Sequence, residues 1–395
     1  MVNSNPVQQT VPTQVQRVGI IGGGQLAWMM AEAAQKLGID LIVQTPHPTD
    51  PAVTIARESI FAPVADAEAT ATLAQRCDVI TFENEFVDLP KLNRLAQEGV
   101  IFRPGLNCLT PLLDKYHQRC FLRHRDLPTP DFSLLPTSPY PLIPNRLPCV
   151  LKTRRLGYDG YGTFIVKTED QFEELIYKIP VDALMLEEFV PFTRELAVMA
   201  ARSLSGEVVV YPIVETQQEN QVCRRVFVPT DLLPRVEQQV HAIAQTILES
   251  LQYVGILGIE LFLTEDDRVL VNEIAPRTHN SGHYTLDACE VSQFEQQLRA
   301  VCGLPLGSPA LNCAGAVMVN LLGFESSSGD YAQQRQQLAA IPNAQVHWYG
   351  KTESRPGRKL GHVTVRLFQE ENLAETSIAL AQEIERIWYP DQAPA

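Results

Sequence analysis

No apolar run in this 395-residue sequence reaches the roughly 18–20 residues that a membrane span needs, so no transmembrane helix is expected. The first sixteen residues hold no acidic or basic side chain. They lack both the basic start and the apolar core of a secretion signal, and residues 1–16 are expected to form a disordered tail. Basic charge is also short: 32 Lys and Arg stand against 46 Asp and Glu, a net charge of −14. A nucleic-acid partner is therefore not expected, since such proteins present a basic footprint, although a local basic site stays open. The eight cysteines show no C-x-x-C spacing, which argues against zinc and a disulfide framework and fits a reducing cytoplasm. The phosphate-binding pattern G-x-x-x-x-G-K-[ST] is missing too.

What is present is an ordinary globular composition, 45% hydrophobic and 20% charged, in a chain long enough for two or three domains. Its densest polar stretch is Val271 to His283, V-N-E-I-A-P-R-T-H-N-S-G-H, directly after a strand-like run. The strand before it, Ile256 to Leu263, carries one carboxylate, Glu260, among apolar residues. A lone buried charge is costly unless partnered. Glu260 and Glu273 on adjacent strands would together make a two-carboxylate magnesium site of the kind that presents a nucleoside triphosphate. An ATP-dependent enzyme is the leading reading.

Along the chain, Arg17 to Ile21 and then Gly22-Gly23-Gly24-Gln25-Leu26-Ala27 read as strand, tight turn and helix. The spacing G-x-G-x-x-A matches the dinucleotide fingerprint. The next strand, however, ends in Gln44 and Thr45 where a ribose-binding acid is expected, so glycines used for close packing in a doubly wound fold are the alternative to a nicotinamide oxidoreductase. A helix over Glu68–Gln75 and a strand over Val79–Phe82 follow, with Glu83-Asn84-Glu85 at the strand's carboxyl end, either a ligand site or a solvated loop. Gly99 to Pro104 reads as a short strand, and Pro111 to His124 as a base-rich helix. After the strand ending at Lys152, the glycines Gly157, Gly160 and Gly162 beside Arg154 and Arg155 predict a phosphate lid or a flexible hairpin. Leu184 to Phe189 is a strand ending in Glu187-Glu188, and Glu195 opens another; such strand ends can read adenine through the backbone and hold ribose, or merely cap a sheet edge. Lys351, Arg355, Arg358 and Lys359 crowd four bases around a Pro-Gly bend, a compact phosphate site in an acidic chain. The final helix, Leu373 to Trp388, reads as structural.

Together these segments resemble the ATP-grasp superfamily, and within it the 5-(carboxyamino)imidazole ribonucleotide synthase family of purine biosynthesis. The resemblance runs from Arg17 onward through Gly22–Leu26, Thr81–Glu85, Gly157–Gly160, Glu187–Phe192, Asn272–His283 and Arg355–His362. The last two are the most specific. It implies an α/β, ATP-grasp fold: a doubly wound domain over 17–106, an ATP-grasp domain over 107–325 with a lid at about 150–210, and a small domain over 326–395.

The implied reaction is ATP-dependent carboxylation of 5-aminoimidazole ribonucleotide with bicarbonate through carboxyphosphate. The resemblance implies that Lys115, Lys152, the Gly157–Thr163 run (Tyr158, Asp159, Gly160, Tyr161 and Gly162 included), Glu187, Glu188, Phe189, Val190, Glu195, Gln218, Asn272 and Glu273 bind ATP. Glu260 and Glu273 would hold Mg2+. Arg277, His279 and Asn280 would bind bicarbonate and the acyl phosphate. Glu83, Tyr158 and Asp159 would orient the aminoimidazole, with Lys351 and Arg358 on its ribose phosphate. Lys115, Arg119, Tyr161 and Gln218 depart from the family's usual residues. A cytoplasmic homodimer is implied, with small molecules as the partners. Another ATP-grasp ligase acting on a purine precursor and a non-catalytic ATP-binding regulatory module are the alternatives.

Overall fold

The computed structural model describes residues 15–136, 146–155, 157 and 162–389. Its first layer is a parallel sheet in the order Glu58–Phe61, Asp40–Thr45, Arg17–Ile21, Val79–Phe82. The middle strands are near-continuous apolar runs, as a sheet covered on both faces requires. Asp66 caps the helix Ala67–Ala74 by accepting from the backbone of Glu68 and Ala69, and Gly38 closes Ala31–Leu37 at φ 68°. The strand predicted over Gly99–Pro104 shrinks to a single bridge between Ile80 and Phe102. Ile80 donates to Ile101 and Arg103 donates back to Ile80, both at 2.9 Å, and the chain then turns into the helix Leu106–Leu109.

A four-stranded antiparallel sheet follows, ordered Phe132–Leu134, Leu184–Glu188, Cys149–Thr153, Thr163–Val166. The largest layer is a nine-stranded antiparallel sheet. Its order is Val269–Ala275, Gly255–Thr264, Phe192–Arg202, Val214–Glu219, Val222–Val228, Gly315–Leu322, Lys359–Leu367, Ala344–Trp348, with Val208–Val210 paired to Phe192–Arg202. No break falls near residue 325: the strand Gly315–Leu322 pairs with Val222–Val228 on one side and Lys359–Leu367 on the other.

Two helices set the relation between layers. Pro234–Leu251 buries Val236, Val240, Ile243, Ile247 and Leu251, a 3.6-residue stripe, in the core shared with Leu257, Ile259 and Leu261 of the large sheet. Gln293–Cys302 is enclosed on nearly every side, with Phe294, Leu298 and Val301 packed among Val18, Ile20 and Met30 of the first layer. Its Gln297 accepts from Ile256 N at 2.7 Å and donates to Thr81 Oγ1 at 2.7 Å, pinning the edge of the parallel sheet to the large one. Among the described residues no helix is long and apolar enough to cross a membrane.

At the far end, Trp388 anchors the helix Leu373–Trp388. It is fully buried, packs edge-on against Phe324 and donates its indole N–H to Leu322 O at 2.8 Å. Trp388→Ala is expected to cost about 3–5 kcal/mol, read as a lower urea midpoint, because both the ring volume and the bond to Leu322 are lost.

Candidate active site

A cleft of about 300 Å³ lies between the two antiparallel sheets. On its floor Glu260 and Glu273 face each other in direct cross-strand register. The ladder slips by one residue immediately beyond, so Asn272 and Glu273 together oppose Glu260. Both therefore line the cleft, which strict strand alternation would forbid. Burial, then the carboxylates of Glu273 and Glu195, push the Glu260 carboxyl up to about 7. Burial pushes Glu273 upward as well, but the Lys115 ammonium in contact with it prevails and holds it below the ordinary range. Asp114 presents that lysine. It caps the helix Lys115–His124 through Tyr116 N and His117 N, and it receives Arg154 Nη2 at 2.9 Å.

Behind this pair lies a buried ionic cluster. Arg119 Nε donates to Glu187 Oε1 at 2.6 Å and Lys152 Nζ lies 2.7 Å from Glu187 Oε2, with the three side chains at most 7% exposed. Arg119 also reaches Asn272 O at 2.6 Å, and Lys152 reaches Asn272 Oδ1 at 3.0 Å. Burial alone would raise the Glu187 acid, but the two cations bring it down to about 2. The Glu187 carboxylate is thus committed to protein partners, while Glu187–Val190 line the cleft beside the stacked rings of Phe192 and Phe262, 4.6 Å apart. Glu195 is raised by burial, partly offset by a hydrogen bond from Gln218.

At the other end, Arg277 makes a two-pronged contact with Glu85, Nε to Oε2 at 2.6 Å and Nη2 to Oε1 at 3.2 Å. His279 Nε2 stands 3.5 Å from Glu260 Oε1. Asn280 exchanges two hydrogen bonds with Asn320, at 2.9 and 2.7 Å. The glycine turn near Glu83 explains the fingerprint. Glu83's carboxylate accepts from Leu26 N, at the start of the helix, and a Cβ on Gly22, whose φ is +110°, would lie 2.5 Å from its Oε2. A Cβ on Gly24 would likewise meet Glu83, and one on Gly23 would meet Thr45, so the glycines serve the close packing that the alternative reading called for.

Of the residues implicated by sequence, Lys115, Lys152, Gly157, Thr163, Glu187, Glu188, Phe189, Val190, Glu195, Gln218, Glu260, Asn272, Glu273, Arg277, His279 and Asn280 line one cleft. Glu83, Gly162, Lys351 and Arg358 are not on its wall. Gly162 backs onto Thr153, Lys351 Nζ donates to Lys359 O at 2.6 Å, and Arg358 Nη1 donates to Glu353 O at 2.8 Å. The basic bend reaches the cleft through Lys359. Tyr158, Asp159, Gly160 and Tyr161 lie outside the described residues. Missed as site residues were Glu85, Lys359 and the Phe192–Phe262 stack, although Glu85 stood in the E-N-E run and Lys359 in the basic bend.

Comparison with known proteins gives the same picture along the whole chain. The Ribonucleotide synthetase preATP-grasp domain matches residues 15–109, the ATP-grasp domain 121–294, and the Phosphoribosylaminoimidazole carboxylase C-terminal domain 316–376. The N5-carboxyaminoimidazole ribonucleotide synthase of Synechococcus elongatus is 55% identical over 386 residues, covering 96% of this chain and 97% of that protein. The chain belongs to the N5-carboxyaminoimidazole ribonucleotide synthase family. Two solved structures of the Aspergillus clavatus family member superpose closely. The one complexed with ATP gives a TM-score of 0.85 at 32% identity, covering 95% of this chain and 99% of that one. The one with ADP and 5-aminoimidazole ribonucleotide gives 0.84 at 30%, covering 94% and 99%.

The raised Glu260 acid has a measurable consequence. Between its unfolded value near 4.5 and about 7 the folded protein keeps a proton that the unfolded chain has lost, so Glu260's contribution to stability falls as pH rises through that window. Glu260→Gln is expected to stabilise the nucleotide-free protein by about 1–2 kcal/mol at pH 8, a figure reduced for partial solvent exposure, and by less at pH 5. Melting temperatures of both proteins across pH 5–8 check the sign; an advantage that grows toward pH 5 would contradict it.

Proposed function

We infer that the protein carboxylates 5-aminoimidazole ribonucleotide, consuming ATP and bicarbonate and releasing ADP and phosphate. The observation that carries this reading is the facing Glu260–Glu273 pair, set in a cleft with Lys115, Lys152 and Arg277, within a chain that matches family members over their full length. Bicarbonate is a poor electrophile, and ATP solves this. A bicarbonate oxygen attacks the γ-phosphorus, the bond to the β-phosphate breaks, and carboxyphosphate and ADP result. The amine nitrogen of the ribonucleotide then bonds to the activated carbon, phosphate leaves with its oxygen, and the nitrogen sheds a proton.

Each residue's part follows from its position. Lys115 and Lys152 supply positive charge where the phosphoryl group transfers, the main electrostatic demand of such chemistry. The Phe192–Phe262 stack and the Glu187–Val190 main chain offer a flat apolar slot for adenine, with Glu195 toward ribose. Arg277, kept strongly cationic by Glu85, and His279 would bind bicarbonate and its phosphorylated product. Two hard carboxylates in direct cross-strand register, one raised by burial and then by the other's charge, fit a divalent cation, and Glu260 and Glu273 would hold magnesium. That ion, when bound, neutralises charge on the triphosphate. Lys351, one main-chain bond from the cleft residue Lys359, is assigned to the ribose phosphate together with Arg358, and Glu83 to the aminoimidazole. The family resemblance supports a homodimer, and eight free thiols support a cytoplasmic setting.

ADP release measured with and without the ribonucleotide and bicarbonate tests the reading. Release should require both; release indifferent to the ribonucleotide in folded, ATP-binding protein would sink it. Lys351→Ala is expected to raise KM for the ribonucleotide about tenfold or more, with KM for ATP nearly unchanged. Equal losses for both substrates would refute the phosphate role.

A further inference from the structure

The two most specific segments of the sequence meet face to face. Asn320, His362 and His347 are direct register partners across three adjacent strands, so their side chains form one row on one face of the large sheet. Above that row the short turns Asn280–Gly282 and Thr285–Ala288 set Asn280, His283 and Asp287 at helical spacing. The contacts match one to one. Asn280 pairs reciprocally with Asn320, the His283 ring lies 5.1 Å from that of His362, and His347 Nε2 meets Asp287 Oδ2 at 2.9 Å.

Asn320 is fully buried in an otherwise apolar strand, and all its polar capacity is spent: its amide donates to Asn280 and to Cys223 O at 2.9 Å, and its oxygen accepts from Asn280. Burial keeps His283 and His362 neutral, so the middle of the row brings no charge to the anion site. Donor atoms of Asp287, His347 and His362 lie within 4.8 Å of one another, yet the row is not a metal centre. The two imidazoles stack at 4.5 Å and 14°, so their lone pairs run side by side instead of converging, and His347 Nε2 is already spent on Asp287.

We propose that Asn320 and His347 are positioning residues that hold the Arg277–Asp287 loop at both ends, so that the carboxyl-terminal strands set where Arg277 and His279 meet bicarbonate. Asn280 acts here as the link, because its carboxamide both donates to and accepts from Asn320. This rests on the carboxylation reading above. A loop shifted by about 1 Å costs an oriented reaction up to roughly 100-fold. Adenine, held by the Glu187–Val190 strand, should not notice.

The test is steady-state ADP release by the full chain, with bicarbonate and ATP varied separately and the melting temperature recorded for each variant. Asn320→Ala is expected to lower kcat/KM for bicarbonate about 10- to 100-fold while KM for ATP stays within about twofold. In an Asn280→Ala background the same change should add almost nothing, since the two residues act as one. His347→Ala should lower kcat/KM for bicarbonate too, and His347→Gln, whose amide can still donate to Asp287, should recover most of it. Additive losses at Asn280 and Asn320, or equal losses for His347→Ala and His347→Gln, would overturn the proposal. Should Asn320→Ala fail to fold, the His347 pair decides alone. Wild-type ADP release that ignores the ribonucleotide would instead bring down the carboxylation reading, whereas an active wild type with unchanged variants removes only the positioning role.

Discussion

The buried cluster of Arg119, Glu187 and Lys152 is the contact on which the active cleft depends. Each member comes from a different element, and two of them also grip Asn272 on the large sheet. Removing one partner would leave an unpaired charge where almost no water reaches, a penalty of about 3–5 kcal/mol. The cluster thereby fixes the smaller antiparallel sheet over the larger one. It also spends the Glu187 carboxylate on architecture, although Glu187 lies on the wall of the cleft. Glu273 and Lys115 repeat the arrangement one layer closer to the cleft, where the ion pair is partly exposed and open to exchange for other partners.

The second constraint is sheet continuity. The strand Gly315–Leu322 pairs on one side with Val222–Val228, inside the segment matched by the ATP-grasp domain, and on the other with Lys359–Leu367, inside the segment matched by the carboxyl-terminal domain. The domain limit near residue 325 that the resemblance implies falls within the span of one continuous sheet. The polar row of Asn320, His362 and His347 runs across that join, beneath the loop that carries Arg277 and His279.

Much of this was legible in the sequence where a simple rule applied. Glu260 stood alone among strand hydrophobics and demanded a partner, and Glu273 on the following strand is its register mate. The same rule, applied to Asn320 in G-A-V-M-V-N-L-L, would have pointed to Asn280. Other features had no local signal. Counting by twos along a strand cannot reveal the slip that turns Asn272 and Glu273 to the same side. Arg119 and Glu187 are separated by 68 residues, and nothing near either names the other. A short run such as Gly99–Pro104 looks like a strand in sequence, and nothing local to it shows that its pairing stops at the one bridge of Phe102 with Ile80. The glycine fingerprint was ambiguous because its deciding residue, Glu83, lies far away in sequence, just past the end of the strand Val79–Phe82.

That last arrangement reaches beyond packing. A helix start with its amides exposed is an open invitation to any diphosphate in solution, and cells hold abundant dinucleotides. Here the invitation is answered from within by Glu83, whose carboxyl, raised by burial, accepts from Leu26 N. The turn is thus held by a side chain from a different part of the chain, and a change at Glu83 would be felt at Gly22 and Gly24 together.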